Sequence, residues 1–355
     1  MGKTSILEAI TMASVLKSFR NARERDMIKW DNEFFSISVS YSTSAGEQKL
    51  HLGYGRHPQA ESNAMLRSMS VNKQKVERIA EFIGRLPTVV FSPDDIDIID
   101  TDPAERRRFI DMILSSLNSS YLEALQLYRR ALRLRTEFFK KVMRKEMKFD
   151  NNYLTSIDKE LAKSGHFIQQ KRAEFLSKFQ DPFGRYVGLI SGQKDQGNII
   201  YEPSVKEAPT VEQYLNALKN ARPKDVKMRQ TTQGIHRDKI VFSSNKKEGL
   251  DLQQIASQGQ KRTVALALKM AQFDYTKSLT SATPILLIDD VLNELDIERR
   301  KSFILFLNEI GQALITTTDL AGIENYVKEN EANFTVEAFE VQNSDDGLTL
   351  QKLTL

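Results

Sequence analysis

The chain has 355 residues, 40% apolar and 28% charged, a profile of two to three globular domains rather than a disordered or fibrous chain. It contains no Cys, which excludes disulfides, Cys-ligated zinc, iron–sulfur clusters and a thiol nucleophile, and its four His show no HExxH pair. The formal net charge is only +4, so a basic surface must be local.

The chain starts with Met1-Gly2-Lys3-Thr4 running straight into SILEAITMASVL, whose apolar spacing predicts a helix. Residues 34–54 alternate as a hairpin, with Phe35, Ile37, Val39 and Tyr41 on one face and the Ser44-Ala45-Gly46 turn between strands. LPTVVFSPDD, 86–95, reads as a short buried strand ended by Ser-Pro. From Pro103 the pattern turns helical, with helices expected over about 104–147, 153–180 and 210–221. Strand–helix alternation returns near 236. Strands are expected at Lys239–Ser243, Pro284–Ile288 and Gln312–Thr317, helices over Gln258–Leu279 and Arg299–Ile310, and a closing hairpin over Phe334–Val341 and Leu348–Leu353 around Asp346-Gly347. No apolar run approaches the ~18 residues of a membrane span, and no charged-then-apolar signal precedes the first helix, so the expected compartment is the cytosol. The order α/β, helical, α/β predicts one domain built from both chain ends with a helical lobe inserted.

Three segments carry chemistry. Gly2-Lys3-Thr4 before a helix matches the second half of a phosphate loop, where backbone N–H groups, a Lys and a hydroxyl would meet phosphates and Mg²⁺; it also reads as an ordinary tripeptide. Ile285–Ile288 delivers Asp289 and Asp290 at a strand's carboxyl end, the first suited to Mg²⁺ and the second to polarising a water; a turn or cap would use the same pair. Ser257-Gln258-Gly259-Gln260 opens a long helix, suited to an anion or to simple N-capping by Ser257.

These segments, in this order, resemble the RecF family of ABC/SMC-type ATPase heads. GKTSILEAI resembles the end of its Walker A motif, and SFR (18–20) a following tripeptide. FSPDD (91–95) with PAERRRFID (103–111), GIHRDKI (234–240), ASQGQKRTVALALKMA (256–271), PILLIDDVLNELD (284–296) and LITTTD (314–319) resemble further family stretches, spanning the whole chain.

The resemblance implies an α/β ABC-type P-loop head with an inserted helical lobe, divided 1–102, 103–233 and 234–355. It implies ATP on Gly2, Lys3, Thr4 and Ser5, with Mg²⁺ handled by Thr4 and Asp289, and Asp290 where such proteins usually carry a catalytic Glu. Ser257, Gly259 and Gln260 of a second subunit would close over the γ-phosphate, with Asp296 at the dimer interface and Thr317 at the switch position. No Gln matches a Q-loop; Ser92 stands near that place. The strand and Gly-rich stretch that family members carry before GKT do not precede Gly2, so the sequence is expected to be a truncated record of a working protein. The implied function is weak ATP hydrolysis coupled to binding of double-stranded, gapped or single-stranded DNA as an ATP-dependent homodimer. RecO and RecR would be partners in helping to load RecA, in a cytoplasmic, nucleoid-associated setting without a membrane. A DNA clamp lacking ATPase activity and a transporter-type ABC subunit are the alternatives.

The residues argue separately for DNA. Between Arg129 and Lys148 lie nine Lys/Arg against Glu137 and Glu146, and counterion release rewards such clusters. Helical spacing predicts Arg130, Arg133, Glu137, Lys140, Lys141, Arg144 and Lys148 on one broad face, with only Glu137 acidic there; a solvated, partly salt-bridged helix face is the plainer reading. No RNP-like aromatic platform is visible, so backbone contact is expected. Arg106, Arg107 and Arg108 form a second basic cluster, and His236-Arg237-Asp238 fits either an interface or a buried ion-pair turn.

Overall fold

The computed structural model describes residues 2–56, 65–244, 250–280, 282–320, 335–344 and 347–353. In chain order the helices are α1 Lys3–Val15, α2 Ile79–Phe82, α3 Asp97–Asp100, α4 Pro103–Leu117, α5 Ser119–Met143, α6 Asn151–Ile190, α7 Val211–Met228, α8 Leu252–Ile255, α9 Gln258–Leu279 and α10 Ile297–Leu307. The strands are β1 Phe34–Thr43, β2 Gly46–Arg56, β3 Met65–Val71, β4 Gln74–Lys75, β5 Thr88–Phe91, β6 Gly197–Glu202, β7 Lys239–Ser244, β8 Ile285–Asp289, β9 Gln312–Thr316, β10 Ala338–Ser344 and β11 Gly347–Leu353. The chain forms two compact units, one of 1–96, 188–193 and 265–355, the other of 97–187 and 194–264.

In the first unit, β5, β8 and β9 form a parallel sheet with β8 in the middle. Leu286, Leu287 and Ile288 are fully buried, which is why β8 reads as a continuous apolar run rather than an alternating one. α1 packs against all three strands. It stops at Leu16, whose left-handed conformation (φ 56°) lets its N–H close on the Met12 carbonyl. The antiparallel sheet β1–β2–β3–β4 is half wet: Leu50, Leu52, Met69 and Val71 point inward onto Met12, Leu16 and Phe82. β10 and β11 pair as the expected closing hairpin; Phe334 and Asp346 lie outside the described residues.

The second unit is mostly helical. The helix expected over 104–147 is two, broken at Asn118, whose extended backbone and side chain cap α5 through the Tyr121 N–H. α6 runs for 40 residues, and β6, which the sequence reading lacked, pairs antiparallel with β7. The limits of the units differ from the expected breaks at 102 and 233. The stretch 234–264 belongs with the helical unit because its contacts are there. Arg172 of α6 pairs with Asp238 at 2.9 Å, and Arg106 of α4 pairs with Asp251 at 2.7 Å.

Candidate functional site

Three distant segments meet at the carboxyl edge of the parallel sheet in the first unit. Gly2 precedes α1 with φ 99°, and a Cβ there would stand 2.3 Å from a Leu348 methyl of β11. Both the dihedral and the neighbour favour glycine. No side chain caps α1, so its leading N–H groups keep their anion-binding capacity. In the first turn, Thr4 Oγ1 donates to Asp289 Oδ1 at 2.8 Å. Thr316 Oγ1 donates to the same oxygen, also at 2.8 Å. Asp289 is 9% exposed, and its second carboxylate oxygen has no donor among the described residues. Lys3 Nζ donates to the Thr317 carbonyl. The Thr317 hydroxyl accepts the Asp319 N–H at 2.9 Å.

Asp290 follows in the left-handed region, φ 52°, and is exposed. This turn ends β8 and holds the Asp290 N–H toward the Thr316 carbonyl at 3.3 Å. Asp tolerates that conformation better than most residues. Thus Lys3, Thr4, Asp289 and Thr317 come together, with Asp290 next in the chain, while Ser5 is exposed on α1.

Hydroxyl and carboxylate oxygens are hard donors of the kind Mg²⁺ takes, so this set fits the expected ion. Thr316 is the member that sequence reading missed. Its place follows from the Asp289↔Thr316 register of β8 and β9, which no local pattern reveals. At the end of β5, the Ser92 N–H donates to Asp95 Oδ2 at 2.8 Å, and Asp95 pairs with Lys269 at 3.3 Å. Burial pushes the Asp95 carboxyl up, against the opposing pull of Lys269. This pair was also missed.

The remaining expected nucleotide residues make capping contacts of their own. Ser257, Gly259 and Gln260 belong to the second unit. Ser257 Oγ accepts the Gln260 N–H at 3.3 Å while Gln260 Oε1 accepts the Ser257 N–H at 3.1 Å, a reciprocal cap on α9. Asp296, in the first unit, caps α10 by accepting the Arg299 N–H at 2.9 Å.

Arg130, Arg133, Lys140 and Lys141 are exposed on α5, and Arg144 is its exposed C-cap. The basic run needs two corrections. α5 ends at Met143, so Lys148 is off its face. Arg135 is fully buried and pairs with Asp158 at 2.7 Å and Asp225 at 2.5 Å, so it is a core ion pair. Arg106 is likewise buried, bonded to Asp251, Gln253 and two backbone carbonyls. Arg107 donates to the Asp238 carbonyl at 2.9 Å, and Arg108 pairs with Glu105 at 3.5 Å.

The GIHRD turn is the buried ion-pair alternative. Asp238 is fully buried and receives Arg172, the Tyr201 hydroxyl at 2.6 Å and the Ser204 N–H at 2.9 Å. His236 Nδ1 lies 2.7 Å from the Tyr128 hydroxyl, and Nε2 lies 3.0 Å from the Thr231 carbonyl. A carbonyl only accepts, so Nε2 carries the hydrogen and Tyr128 donates to Nδ1. Burial lowers the His236 pKa to about 4, which keeps the ring neutral.

No protein-family model matches the chain. A DNA replication and repair protein RecF from Leptospira interrogans serogroup Icterohaemorrhagiae serovar Lai (strain 56601) is 36% identical over 326 residues, 92% of this chain and 85% of that protein. Two solved structures of the recombination mediator protein RecF in the RecFOR pathway, one as RecF-ATPrS and one as RecF-ATP, match with TM-scores of 0.83. Their identities are 30% and 28%, over 99% of this chain and 89% of each of those. The Smc head domain from Pyrococcus furiosus is similar at a TM-score of 0.50 and 16% identity, over 99% of this chain and 87% of that one, a likeness of fold alone. The fold is an ABC-type ATPase head, as the motifs led one to expect.

Proposed function

Since the chain belongs to the RecF family of DNA replication and repair proteins, we propose that it binds Mg-ATP at the carboxyl edge of the β5–β8–β9 sheet and couples that binding to holding DNA. The observation that carries this reading is the convergence of Thr4 and Thr316 on one oxygen of Asp289, with Lys3 on the neighbouring Thr317 carbonyl. Two hydroxyls orient the carboxylate from both sides, leaving its other oxygen for an ion. Thr4 and Asp289 would hold Mg²⁺, which supplies positive charge to phosphate oxygens when bound.

Lys3 can trade its carbonyl partner for a phosphate, and the open N–H groups of α1 favour the same anion. That exchange frees the Thr317 carbonyl, which links the nucleotide to the end of β9. Asp290 is exposed beside Asp289 and is the group that polarises a water in slow hydrolysis. Ser257, Gly259 and Gln260 of a second copy complete the site, so ATP binding favours a dimer and hydrolysis loosens it. Asp296 belongs to that interface. The exposed cations of α5 hold the phosphate backbone of DNA. Family membership supports extending this reading to RecO and RecR as partners, RecA loading at gaps and a cytoplasmic place in recombinational repair. Among the described residues no helix is long and apolar enough to cross a membrane, and family membership favours this reading over a transporter-type subunit.

The test is titration of the protein with a fluorescent ATP analogue, followed by light scattering with and without Mg-ATP. Lys3→Ala and Asp289→Asn are expected to abolish nucleotide binding. Asp290→Asn is expected to keep it and to prolong the ATP-dependent dimer. Undiminished DNA binding by a wild-type protein that takes no ATP would establish the clamp without ATPase activity instead.

A further inference from the structure

The connection between α5 and α6, residues 144–150, is exposed at every position and turns at Lys145, φ 60°. Two kinds of chemistry meet at this tip. The first is charge. Lys140 and Lys141 lie in the last turn of α5, and Arg144, Lys145 and Lys148 follow. Five cations stand here against three carboxylates, Glu137, Glu146 and Asp150. Asp150 caps α6, accepting the N–H groups of Asn152 at 2.8 Å and Tyr153 at 3.0 Å. Glu146 reaches Arg144 only at 3.9 Å. Lys140, Lys141, Lys145 and Lys148 have no ion-pair partner among the described residues.

The second kind is aromatic. Phe138 is buried against Phe139 and Leu154. Its ring braces Phe149 at 5.6 Å and Tyr153 at 5.7 Å between centroids, tilted by 59° and 52°. Yet Phe149 in the connection is 50% exposed and Tyr153 at the start of α6 39%, and Met143, at the end of α5, and Met147 are open beside them. The two outer rings are therefore held at their inner side by a buried ring and present their other side to solvent.

We propose that this tip stacks unpaired bases of single-stranded DNA, with the surrounding cations on the flanking phosphates. The reading rests on the basic face of α5 being the DNA interface and extends it to the kind of DNA preferred. Charge complementarity selects the occupant. An excess of cations around an apolar surface matches a polyanion that also carries flat apolar faces. A continuous duplex offers phosphates but keeps its base faces stacked; the single strand at a gap offers both. Two rings on a buried brace lose little freedom on binding, which favours stacking over loose hydrophobic contact.

The test is fluorescence anisotropy of the full chain on a continuous duplex and on the same duplex with a single-stranded gap. Wild type is expected to prefer the gapped form. In Phe149→Ala/Tyr153→Ala that preference is expected to fall about tenfold, the scale of one lost base stack. Phe149→Trp/Tyr153→Trp is expected to keep it. Circular dichroism melting of each variant checks the fold, and the Trp pair separates loss of an aromatic face from loss of packing. An unchanged preference in the alanine pair overturns the proposal, as does equal wild-type affinity for the two DNAs; a tip that docks a protein or a lipid surface gives the first of these results. Arg130→Ala/Arg133→Ala reports on the underlying reading, since these exposed cations of α5 lie outside the tip and their loss is expected to weaken both DNAs alike. Unchanged binding there removes the basic face, whereas loss of the gap preference alone in the aromatic variant is specific to stacking.

Discussion

Replacing Arg172 with Met removes the one guanidinium that two buried carboxylates share. Arg172 is 1% exposed and donates to Asp111 at 2.8 Å, to Asp238 at 2.9 Å and to the Ile235 carbonyl at 2.7 Å. Met fills much of the volume but supplies no donor. Breaking a buried pair by removing one partner costs about 3–5 kcal/mol, because the other charge stays buried. Here the Tyr201 hydroxyl and Ser204 N–H remain on Asp238, and the Tyr121 hydroxyl remains on Asp111 at 2.6 Å, so the low end, about 3 kcal/mol, is expected at pH 7.5. The deficit also depends on pH. Burial already raises the Asp238 carboxyl above its ordinary value while Arg172 pulls it down. Without Arg172 it rises further, so the native variant binds a proton that the unfolded chain releases. Variant stability then falls as pH rises from the unfolded value of about 4 through the raised native value. Relative to wild type, the deficit should shrink from pH 7.5 to pH 5.0. The assay is urea unfolding followed by far-ultraviolet circular dichroism, since Trp30, the sole tryptophan, is 91% exposed and a poor reporter. Asp238→Asn in the variant background is expected to recover about 1 kcal/mol or more. A deficit under 1 kcal/mol at pH 7.5, or one equal at both pH values, refutes the reasoning.

Three further outcomes are expected. Thr316→Val removes one of the two hydroxyls on Asp289, and the Mg²⁺ concentration that half-saturates nucleotide binding should rise about tenfold; an unchanged Mg²⁺ titration would show that Thr4 alone orients the carboxylate. His236, with its pKa lowered to about 4, stays neutral where the unfolded ring protonates, so wild-type stability is present above pH 6.5 and declines toward pH 4, by up to about 3 kcal/mol; His236→Gln should flatten that decline in acid unfolding curves. Arg133→Ala should weaken DNA binding and make the slope of log affinity against log salt shallower by about 0.9, with stability unchanged within about 0.5 kcal/mol, whereas Arg135→Ala should cost about 3 kcal/mol in melting experiments because it leaves the buried Asp225 without its cation, while Asp158 keeps Arg222 at 2.8 Å.

The contrast between those two arginines marks the reach of the sequence. Helix periodicity identifies α5 and its charge, but Arg133 and Arg135 look alike in composition. Their difference comes from Asp158 and Asp225 on α6 and α7, 23 and 90 residues away. The Asn118 break and β6 were missed for a related reason. A capping Asn is legible only once the chain is known to bend there, and β6 becomes a strand by pairing with β7.

What the sequence by itself determined was whatever is local. The motifs, their order, the buried run of β8 and the full span Gln258–Leu279 of α9 are set by residue type and short-range spacing. Only the tertiary structure decided which groups meet. The β8–β9 register brings Thr316 onto Asp289, the contacts of Arg172 and Arg106 bind 234–264 to the helical unit, and the buried ring of Phe138 sets Phe149 and Tyr153 among the lysines of the α5–α6 tip. Those outcomes depend on pairs far apart in the chain, and burial and charge compensation act on such pairs only after the backbone has brought them together.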